Sequence, residues 1–336
     1  MEEYQSKLFY YKELESFNWS AYNNSQAKEG LLFKVMLKEL CSLLETENDR
    51  LCKRPLPLSH RIFCMCLKVY LGKSSRRTQS SLEECRNMGY IHLCPHYNSV
   101  LNYFNDPSLK LILKYLIEVS AIPLVQTEKK FAVDATGFSL PNQEKWSSAR
   151  SKYSKHKMYK KAHIIYGVES NIVTSCKITE GTSNDSPHYK ELLEATAKNF
   201  KMEEVSADKA YSSRDNLKFT SKYGAIPFIP FKTNANGNAK GCTIWTQMFK
   251  FFLDYPEEFG KKYHLRNNAE TGMAMIKKKF DGFVRCKGDI SQTNEILCKI
   301  LCHNICVNIQ EIFLQKLEVN FLECSRKYVA QKSIIN

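Results

Sequence analysis

The segment 263–280 (YHLRNNAETGMAMIKKKF) carries four chemically different side chains at helical spacing. At about 100° per residue, Tyr263, Arg266, Glu270 and Lys277 fall on one narrow stripe, and a second face is apolar. Neither a hydrophobic core nor a coiled coil needs a phenol, a guanidinium, a carboxylate and an ammonium group on one stripe. A salt-bridged face in solvent is one explanation, because Arg266 and Glu270 are spaced i, i+4. The residues upstream favour a second explanation, a catalytic site.

Two aspartates upstream belong to apolar, strand-like sequence. Asp134 lies inside 131–136 (FAVDAT), and Asp208 directly follows the short run 204–207. A carboxylate inside an apolar strand is unfavourable to bury without a partner. Two neighbouring carboxylates also repel, and each raises the pKa of the other. Each aspartate alone is more typical of a cap or a turn, but the pair together with Glu270 predicts a shared site.

A divalent cation between the carboxylates would make this arrangement favourable. Hard oxygen ligands from two aspartates and one glutamate suit Mg²⁺, and Mn²⁺ is the expected substitute. Two such ions can activate an attacking oxygen and stabilise a leaving oxygen in phosphodiester chemistry. The residue types therefore predict metal-dependent chemistry on a nucleic acid, with Asp134, Asp208 and Glu270 as catalytic residues and metal ligands.

The pattern around the aspartates predicts the elements that position them. Apolar runs predict strands, and helical periodicity predicts helices between and after them. The expected strands cover 131–136, 162–168, 172–178, 204–207 and, as an edge strand, 225–231, with helices from Ser186 and over 213–223. This order matches an α/β, ribonuclease H-like mixed sheet flanked by helices. Because its first and fourth strands are neighbours, Asp134 and Asp208 are expected to meet although they are 74 positions apart in the chain.

The combined pattern resembles the prokaryotic DDE-type insertion-sequence transposases that carry the YREK signature. Tyr263, Arg266, Glu270 and Lys277 match that signature in full. The contexts of the aspartates, FAVDATGFS and SADKAYSS, and the intervening GTSNDS fit as well. The resemblance covers at least residues 130–310, and its combined motifs are highly specific.

The resemblance implies a ribonuclease H-like core in which the three carboxylates are the metal ligands. It implies that Tyr263, Arg266 and Lys277 hold the phosphates of the transposon end. Water is expected to cut at the element end, and the freed 3′-hydroxyl is then expected to attack target DNA. The expected partner is double-stranded DNA, as transposon end and as target. A homodimer is expected to pair two ends.

One feature departs from the family pattern. Relatives often carry a large β insertion before the glutamate helix, whereas only residues 232–259 intervene here. An aromatic residue from that insertion can stack on a flipped base in related enzymes. Trp245 could take that role in DNA binding, or it could pack against Phe249 and Phe252. Whether the reaction passes through a DNA hairpin stays open.

The segment 145–163 (KWSSARSKYSKHKMYKKAH) is strongly basic and contains no acidic residue. Basic side chains there would neutralise DNA phosphates and make binding depend on salt. A solvated hairpin or loop is the alternative. Because catalytic Asp134 lies just upstream, we expect DNA contact by Lys155, Lys157, Lys160 and Lys161.

Residues 1–129 have helical patterns and predict an all-helical N-terminal domain that binds DNA ends. Within it, 74–104 predicts a helix, a turn at Gly89 and a second helix. That outline is compatible with a helix-turn-helix with Arg76 and Arg77 near phosphates, or with a helical pair in a small bundle. The catalytic domain is expected over 130–320, with the short insertion at 232–259 and a C-terminal tail over 321–336.

Composition limits the classes of protein to consider. The 336 residues carry a formal net charge of +14, which points to a polyanionic partner, either nucleic acid or an anionic membrane surface. No apolar run approaches roughly 18 residues, and the acidic, polar start is not a secretory signal. A membrane protein and a secreted mini-protein are therefore excluded. A cytoplasmic protein associated with the nucleoid is expected.

Thirteen cysteines occur at irregular spacing and without a CxxC motif, so disulfides are not expected. A zinc site could be built from Cys64, Cys66, Cys85, Cys94 and His96, although their spacing fits poorly. Small buried hydrophobic residues are the favoured explanation. In the helix around 296–309 the cysteines at i, i+4 and i+8 resemble a ligand ladder, but an apolar circumference favours a buried core helix.

Two other functions compete with a DNA transposase. A catalytically silent DNA-binding descendant would keep the fold without turnover, but all three carboxylates are present. A metal-dependent DNA nuclease would share the carboxylates but would not need the phosphate-binding residues of the YREK stripe. Strand joining, measured beside cleavage, separates a nuclease from a transposase.

Overall fold

The computed structural model describes residues 18–45, 56–141, 159–238 and 241–326. The strands are β1 (Lys130–Ser139), β2 (Tyr159–Gly167), β3 (Val173–Glu180), β4 (Glu204–Ala207) and β5 (Ile226–Phe228). The helices before the sheet are α1 (Trp19–Ser42), α2 (Leu58–Leu71), α3 (Ser75–Asn87), α4 (Tyr97–Tyr103) and α5 (Leu109–Ala121). The later helices are α6 (Tyr189–Ala197), α7 (Arg214–Lys222), α8 (Thr243–Asp254), α9 (Pro256–Tyr263), α10 (Asn267–Phe280) and α11 (Asp289–Gln315).

The five strands form one mixed sheet in the order β3-β2-β1-β4-β5. The first three strands are antiparallel, and β4 and β5 extend the sheet in parallel beside β1. This is the predicted strand order, so the ribonuclease H-like fold class with helices before it is confirmed. β5 lies at the edge, as predicted, because Pro227 in its centre has no N–H to donate to a further strand.

The two faces of the sheet are covered by different helices. Alternate residues of β1 point to opposite faces. Ala132 and Phe138 belong to a first apolar cluster, which they share with α10 and α11. Phe131 and Val133 belong to a second apolar cluster, formed with α6 and the loop and helices beyond it. Asp134 is two residues after Ala132, so its side chain lies on the same face of the sheet, which α10 covers.

The helix α11 forms the centre of the first cluster. Its cysteines Cys298, Cys302 and Cys306 are buried, and His303 Nε2 lies 2.9 Å from the carbonyl of Asn171. Among the described residues it is the one helix with the length and composition of a membrane span, but 83% of its most apolar window is buried inside the protein. The buried core helix predicted from the sequence is confirmed.

The N-terminal helices pack on α11 rather than forming a separate core. α1, α2 and α5 contact it, and Phe33, Leu37 and Phe63 share its apolar cluster. The change of sequence pattern at Lys130 is therefore a change from helices to strands within one continuous core.

The predicted helix pair over 74–104 is present as α3 and α4. Ser74 caps α3, since its side chain accepts a hydrogen bond from Arg77 N. Gly89 has a φ of 78°, which lets the chain turn after α3. The connection spans residues 88–96, longer than the three- or four-residue turn of a DNA-binding helix-turn-helix, and α4 is only seven residues long. The pair thus differs from the compact motif.

Candidate active site

Asp134 and Asp208 lie side by side on neighbouring strands. β1 and β4 are parallel, and Val133 pairs with Ala207, so each aspartate is the next residue after a paired position. Asp208 Oδ1 accepts a 2.6 Å hydrogen bond from Lys209 N, and Asp134 Oδ1 accepts one of 2.8 Å from Ala135 N. The sheet topology thus places the two carboxylates together, as the sequence predicted.

Arg266 connects Glu270 to this pair. A 3₁₀ turn, His264–Arg266, joins α9 to α10 and places the arginine at the start of α10. Arg266 Nη1 donates to Asp134 Oδ2 at 3.0 Å, and Nη2 donates to Glu270 Oε1 at 2.7 Å. The i, i+4 ion pair considered for a solvent-exposed face is therefore present, but its arginine also binds the carboxylate of β1.

A close contact between α10 and β2 determines how near the helix lies to the sheet. A Cβ atom on Gly272 would lie 2.7 Å from Cε1 of the fully buried Tyr166. Only glycine allows this approach without moving the ring or the helix. Because Glu270 is two residues away on α10, the position of its carboxylate depends on that contact.

The charges around Asp134 act in opposite directions. Burial raises the pKa of Asp134, and the charges of Asp208 and Glu270 raise it further, against the opposing effect of Arg266. Burial alone would lower the pKa of Arg266, but the charges of Asp134 and Glu270 contribute to an overall rise. The guanidinium stays charged and compensates part of the local negative charge.

The other two members of the stripe have different surroundings, since Tyr263 packs against the apolar cluster of Phe131 and Val133, whereas Lys277 lies beside the cluster of Phe138. The guanidinium of Arg266 stands 5.7 Å from the ring centre of Tyr263. Lys277 Nζ lies 5.7 Å from the ring centre of Phe138 on β1, and burial lowers its pKa. Within the described residues Lys277 forms no ion pair with a carboxylate, so its charge is available to an anion.

The donor set suits a hard divalent cation, but the carboxylates are not arranged around a common point. In the described part of the chain, no three His, Cys, Asp or Glu side chains are close enough together to hold a metal ion. The guanidinium of Arg266 contacts Asp134 and Glu270 and provides positive charge there. Glu270 is 58% exposed on its side chain, so it has room to turn towards the aspartates. The ligand types fit Mg²⁺ or Mn²⁺.

The basic segment 145–163 is only partly described, and Lys155 and Lys157 lie outside the described residues. The side chain of Lys160 is 3% exposed and forms ion pairs with Glu180 and Asp289, so the predicted DNA contact would require these ion pairs to open. Lys160 belongs to the structural contacts between β2, β3 and α11. Lys161 Nζ lies 2.6 Å from Asp185 Oδ1, so its charge is largely compensated as well.

Trp245 is packed into the second apolar cluster. It is 7% exposed, meets Phe231 edge-on at 4.8 Å between ring centres, and donates from Nε1 to Asn236 O at 2.8 Å. In this conformation the indole is therefore packed inside the protein, as in the second alternative. The ring of Phe231 lies between Trp245 and Phe249 and contacts both. A base could stack on the indole only after rearrangement.

The remaining candidates lie away from these contacts. Arg76 and Arg77 are exposed at the start of α3, and Arg76 stands 5.5 Å from the ring centre of Tyr97. Of the residues considered for zinc, Cys64, Cys66 and Cys85 are buried in the apolar cluster, Cys94 Sγ accepts a hydrogen bond from Gln79, and His96 caps α4. The cysteines of the core are thus packing residues.

The sequence patterns did not identify Tyr211 as part of this region. Its phenol is buried, its oxygen has no hydrogen-bond partner among the described residues, and burial together with the charges of Asp185, Asp134 and Asp208 raises its pKa. The signal available in the sequence was its position three residues after Asp208.

Comparison with known proteins identifies the family of the chain. Residues 126–305 match the family described as Transposase DDE domain, a range that contains all three carboxylates. Over 272 residues the chain is 22% identical to a probable transposase for insertion sequence element ISA1214 from Archaeoglobus fulgidus, covering 80% of each protein. The chain therefore belongs to the family of DDE-type transposases of insertion sequences.

Proposed function

We propose that this transposase cuts DNA at the ends of its insertion sequence and joins the freed 3′-hydroxyl to target DNA. The observation that carries the proposal is the pairing of Asp134 and Asp208 on adjacent parallel strands, with Glu270 linked to them through Arg266. Three carboxylates that distant parts of the chain bring to one region suit metal-dependent phosphodiester chemistry.

In this proposal Asp134, Asp208 and Glu270 hold Mg²⁺, with Mn²⁺ as a substitute. The bound ions would supply the activation of the attacking oxygen and the stabilisation of the leaving oxygen. Glu270 would have to turn towards the aspartates, and Arg266 would have to release both Glu270 and Asp134.

The positive side chains of the stripe would position the DNA. Arg266 would exchange its carboxylate partners for a phosphate of the transposon end, and the planar guanidinium suits either partner. Lys277 would add a second cationic contact, and the phenol of Tyr263 would hydrogen-bond the same strand. Each group binds and orients DNA, while the carboxylates act at the reacting phosphorus.

The wider organisation is part of the same proposal. Residues 1–129 would bind the transposon ends, 130–320 would form the catalytic part with its insertion at 232–259, and 321–336 would be a tail. Double-stranded DNA is the partner as element end and as target, and a homodimer would pair two ends. The protein would work at the nucleoid in the cytoplasm.

Excision in cells tests the proposal. A marked element built from this gene's own flanking DNA is supplied with wild type, Glu270→Gln or Glu257→Gln. Glu257 is an exposed acid on α9 and serves as the matched control. We expect excision with wild type and Glu257→Gln, and none with Glu270→Gln. Equal excision by all three would remove Glu270 from the chemistry.

Two further outcomes identify the alternatives. DNA binding without excision would favour the silent DNA-binding descendant. Metal-dependent cleavage of the ends by purified protein, without strand joining, would favour a nuclease.

A further inference from the structure

A small cavity opens at the carboxyl ends of β4 and β5, and one of its walls begins four residues after Asp208. Its volume is about 220 Å³. In open α/β sheets, ligands bind preferentially beyond the carboxyl ends of parallel strands. The lining comes from the start of α7, the loop after β5 and α8, and includes Ser212, Arg214, Lys232, Asn234, Asn236 and Trp245.

The cavity wall carries two positive charges and no acidic residue. Arg214 and Lys232 are exposed, and neither forms an ion pair within the described ranges. Other lysines near the sheet, such as Lys160, Lys161 and Lys262, do form ion pairs. The guanidinium of Arg214 is held 5.9 Å from the ring centre of Trp245 and donates to Asn238 O at 3.4 Å. An oriented guanidinium beside a lysine is an arrangement that binds an anion.

Ser212 provides an independent observation. Its side chain is 7% exposed, and its Oγ has no hydrogen-bond partner among the described residues. A buried hydroxyl without a partner is unfavourable for the free protein. Because Ser212 lines the cavity, rotation of its side chain would bring the hydroxyl to a ligand with acceptor oxygens.

We propose that this cavity binds a phosphate group of a DNA strand that passes Asp208. The inference rests on the proposed function, since the strand at Asp208 is the one to be cut or joined. The chemistry indicates a phosphate rather than a base. Two cations, a hydroxyl and two amide side chains suit anionic oxygens, whereas the indole of Trp245 is already engaged by Phe231 and Arg214.

The test measures the affinity of the full chain for a duplex that carries the element end, as a function of salt. The variants are Ser212→Ala, Arg214→Gln and Lys232→Gln. Lys201→Gln is the control, because Lys201 is exposed at the other end of β4. We expect Arg214→Gln and Lys232→Gln to weaken binding roughly tenfold and to lower the slope of log K against log salt by about one.

Ser212→Ala separates binding from folding. Loss of an unpartnered hydroxyl should leave thermal stability unchanged or higher, while DNA binding weakens by about threefold to tenfold. If wild type binds DNA and all three variants behave like Lys201→Gln, the proposal is overturned.

Calorimetry with inorganic phosphate and without DNA tests whether the cavity binds a phosphate by itself. It also separates the failure of this proposal from the failure of the proposed function. If wild type does not bind DNA, the proposed function fails. The phosphate site then still stands if the three variants lose inorganic phosphate binding that wild type and Lys201→Gln show. If wild type binds neither DNA nor inorganic phosphate, both proposals are overturned.

Discussion

The guanidinium of Arg266 lies 3.0 Å from the carboxylate of Asp134, although the two residues are 132 positions apart in the chain. The same guanidinium binds Glu270 one helical turn later. One arginine therefore binds two of the three carboxylates that define the candidate site. In the proposed reaction, this arginine has to leave the carboxylates when metal ions and DNA phosphates arrive.

Replacement of this arginine should make the protein more dependent on divalent cations. In Arg266→Ala the negative charges of Asp134, Asp208 and Glu270 lose their compensation. We expect the free energy of unfolding to fall by about 1–3 kcal/mol without divalent cations. Mn²⁺ should raise the melting temperature more in the variant than in wild type, because the guanidinium no longer competes.

Lys262→Ala is the control for this experiment. It also removes a cation that pairs with a carboxylate, that of Glu204, and leaves the three site carboxylates intact. Thermal unfolding with and without Mn²⁺ measures the effect. Equal Mn²⁺ shifts in all three proteins would contradict the competition between arginine and metal.

The contact of Gly272 with Tyr166 predicts a coupled loss of stability and activity. A Cβ atom at Gly272 would overlap a buried ring, so Gly272→Ala should lower the free energy of unfolding by about 1–3 kcal/mol. The displaced helix should also reduce excision by roughly tenfold or more, because small misplacements of catalytic groups are costly.

Gly260→Ala is the matched glycine variant. Gly260 lies inside α9, and nothing lies within 4 Å of a Cβ atom there. Its replacement should raise stability by about 0.5–1 kcal/mol and leave excision unchanged. Similar behaviour of the two variants in denaturant unfolding would argue against the packing explanation.

Removing the charge of Lys160 should affect stability but not DNA binding, and removing the charge of Lys277 should do the reverse. Lys160 is buried in ion pairs, so Lys160→Gln should lower the free energy of unfolding by roughly 1–3 kcal/mol and leave the salt dependence of DNA binding unchanged. Lys277→Gln should keep stability and lower the salt slope by about one. Denaturant unfolding and DNA titrations at several salt concentrations test both. A lower slope for Lys160→Gln would support Lys160 as a DNA contact.

Glu311 predicts a pH dependence of stability. Burial raises the pKa of Glu311 to about 7 from an ordinary value of 4.5, with a smaller contribution from the charge of Glu128. The folded state therefore prefers the protonated acid, and its contribution to stability is present below pH 4.5 and is lost as the pH rises through 7. The free energy of unfolding of Glu311→Gln, relative to wild type, should thus be roughly 2 kcal/mol higher at pH 8 than at pH 5.

Glu318→Gln controls for this effect, since Glu318 is an exposed acid beyond the end of the same helix. The measurement is the free energy of unfolding of the three proteins at both pH values. If the difference in the free energy of unfolding between Glu311→Gln and wild type is the same at both pH values, folding does not change the pKa of Glu311.

Much of the fold follows from local patterns in the sequence. Apolar runs and turn residues located the strands, and their order specified the topology. The adjacency of Asp134 and Asp208 followed from that order, because neighbouring strands bring their equivalent positions together. The stripe on 263–280 was visible because helical periodicity depends only on residue spacing, although a 3₁₀ turn interrupts the helix at 264–266.

The partners of individual charges depend on the tertiary structure instead. In the sequence Lys160 is one of seven basic residues in a run, but β3 and α11 bring Glu180 and Asp289 to it and remove it from the surface. The contacts of Arg266 with Asp134, of Trp245 with Phe231 and of Gly272 with Tyr166 likewise join distant segments. Side-chain packing and charge compensation depend on three-dimensional distance, which the spacing of residues along the chain does not encode directly.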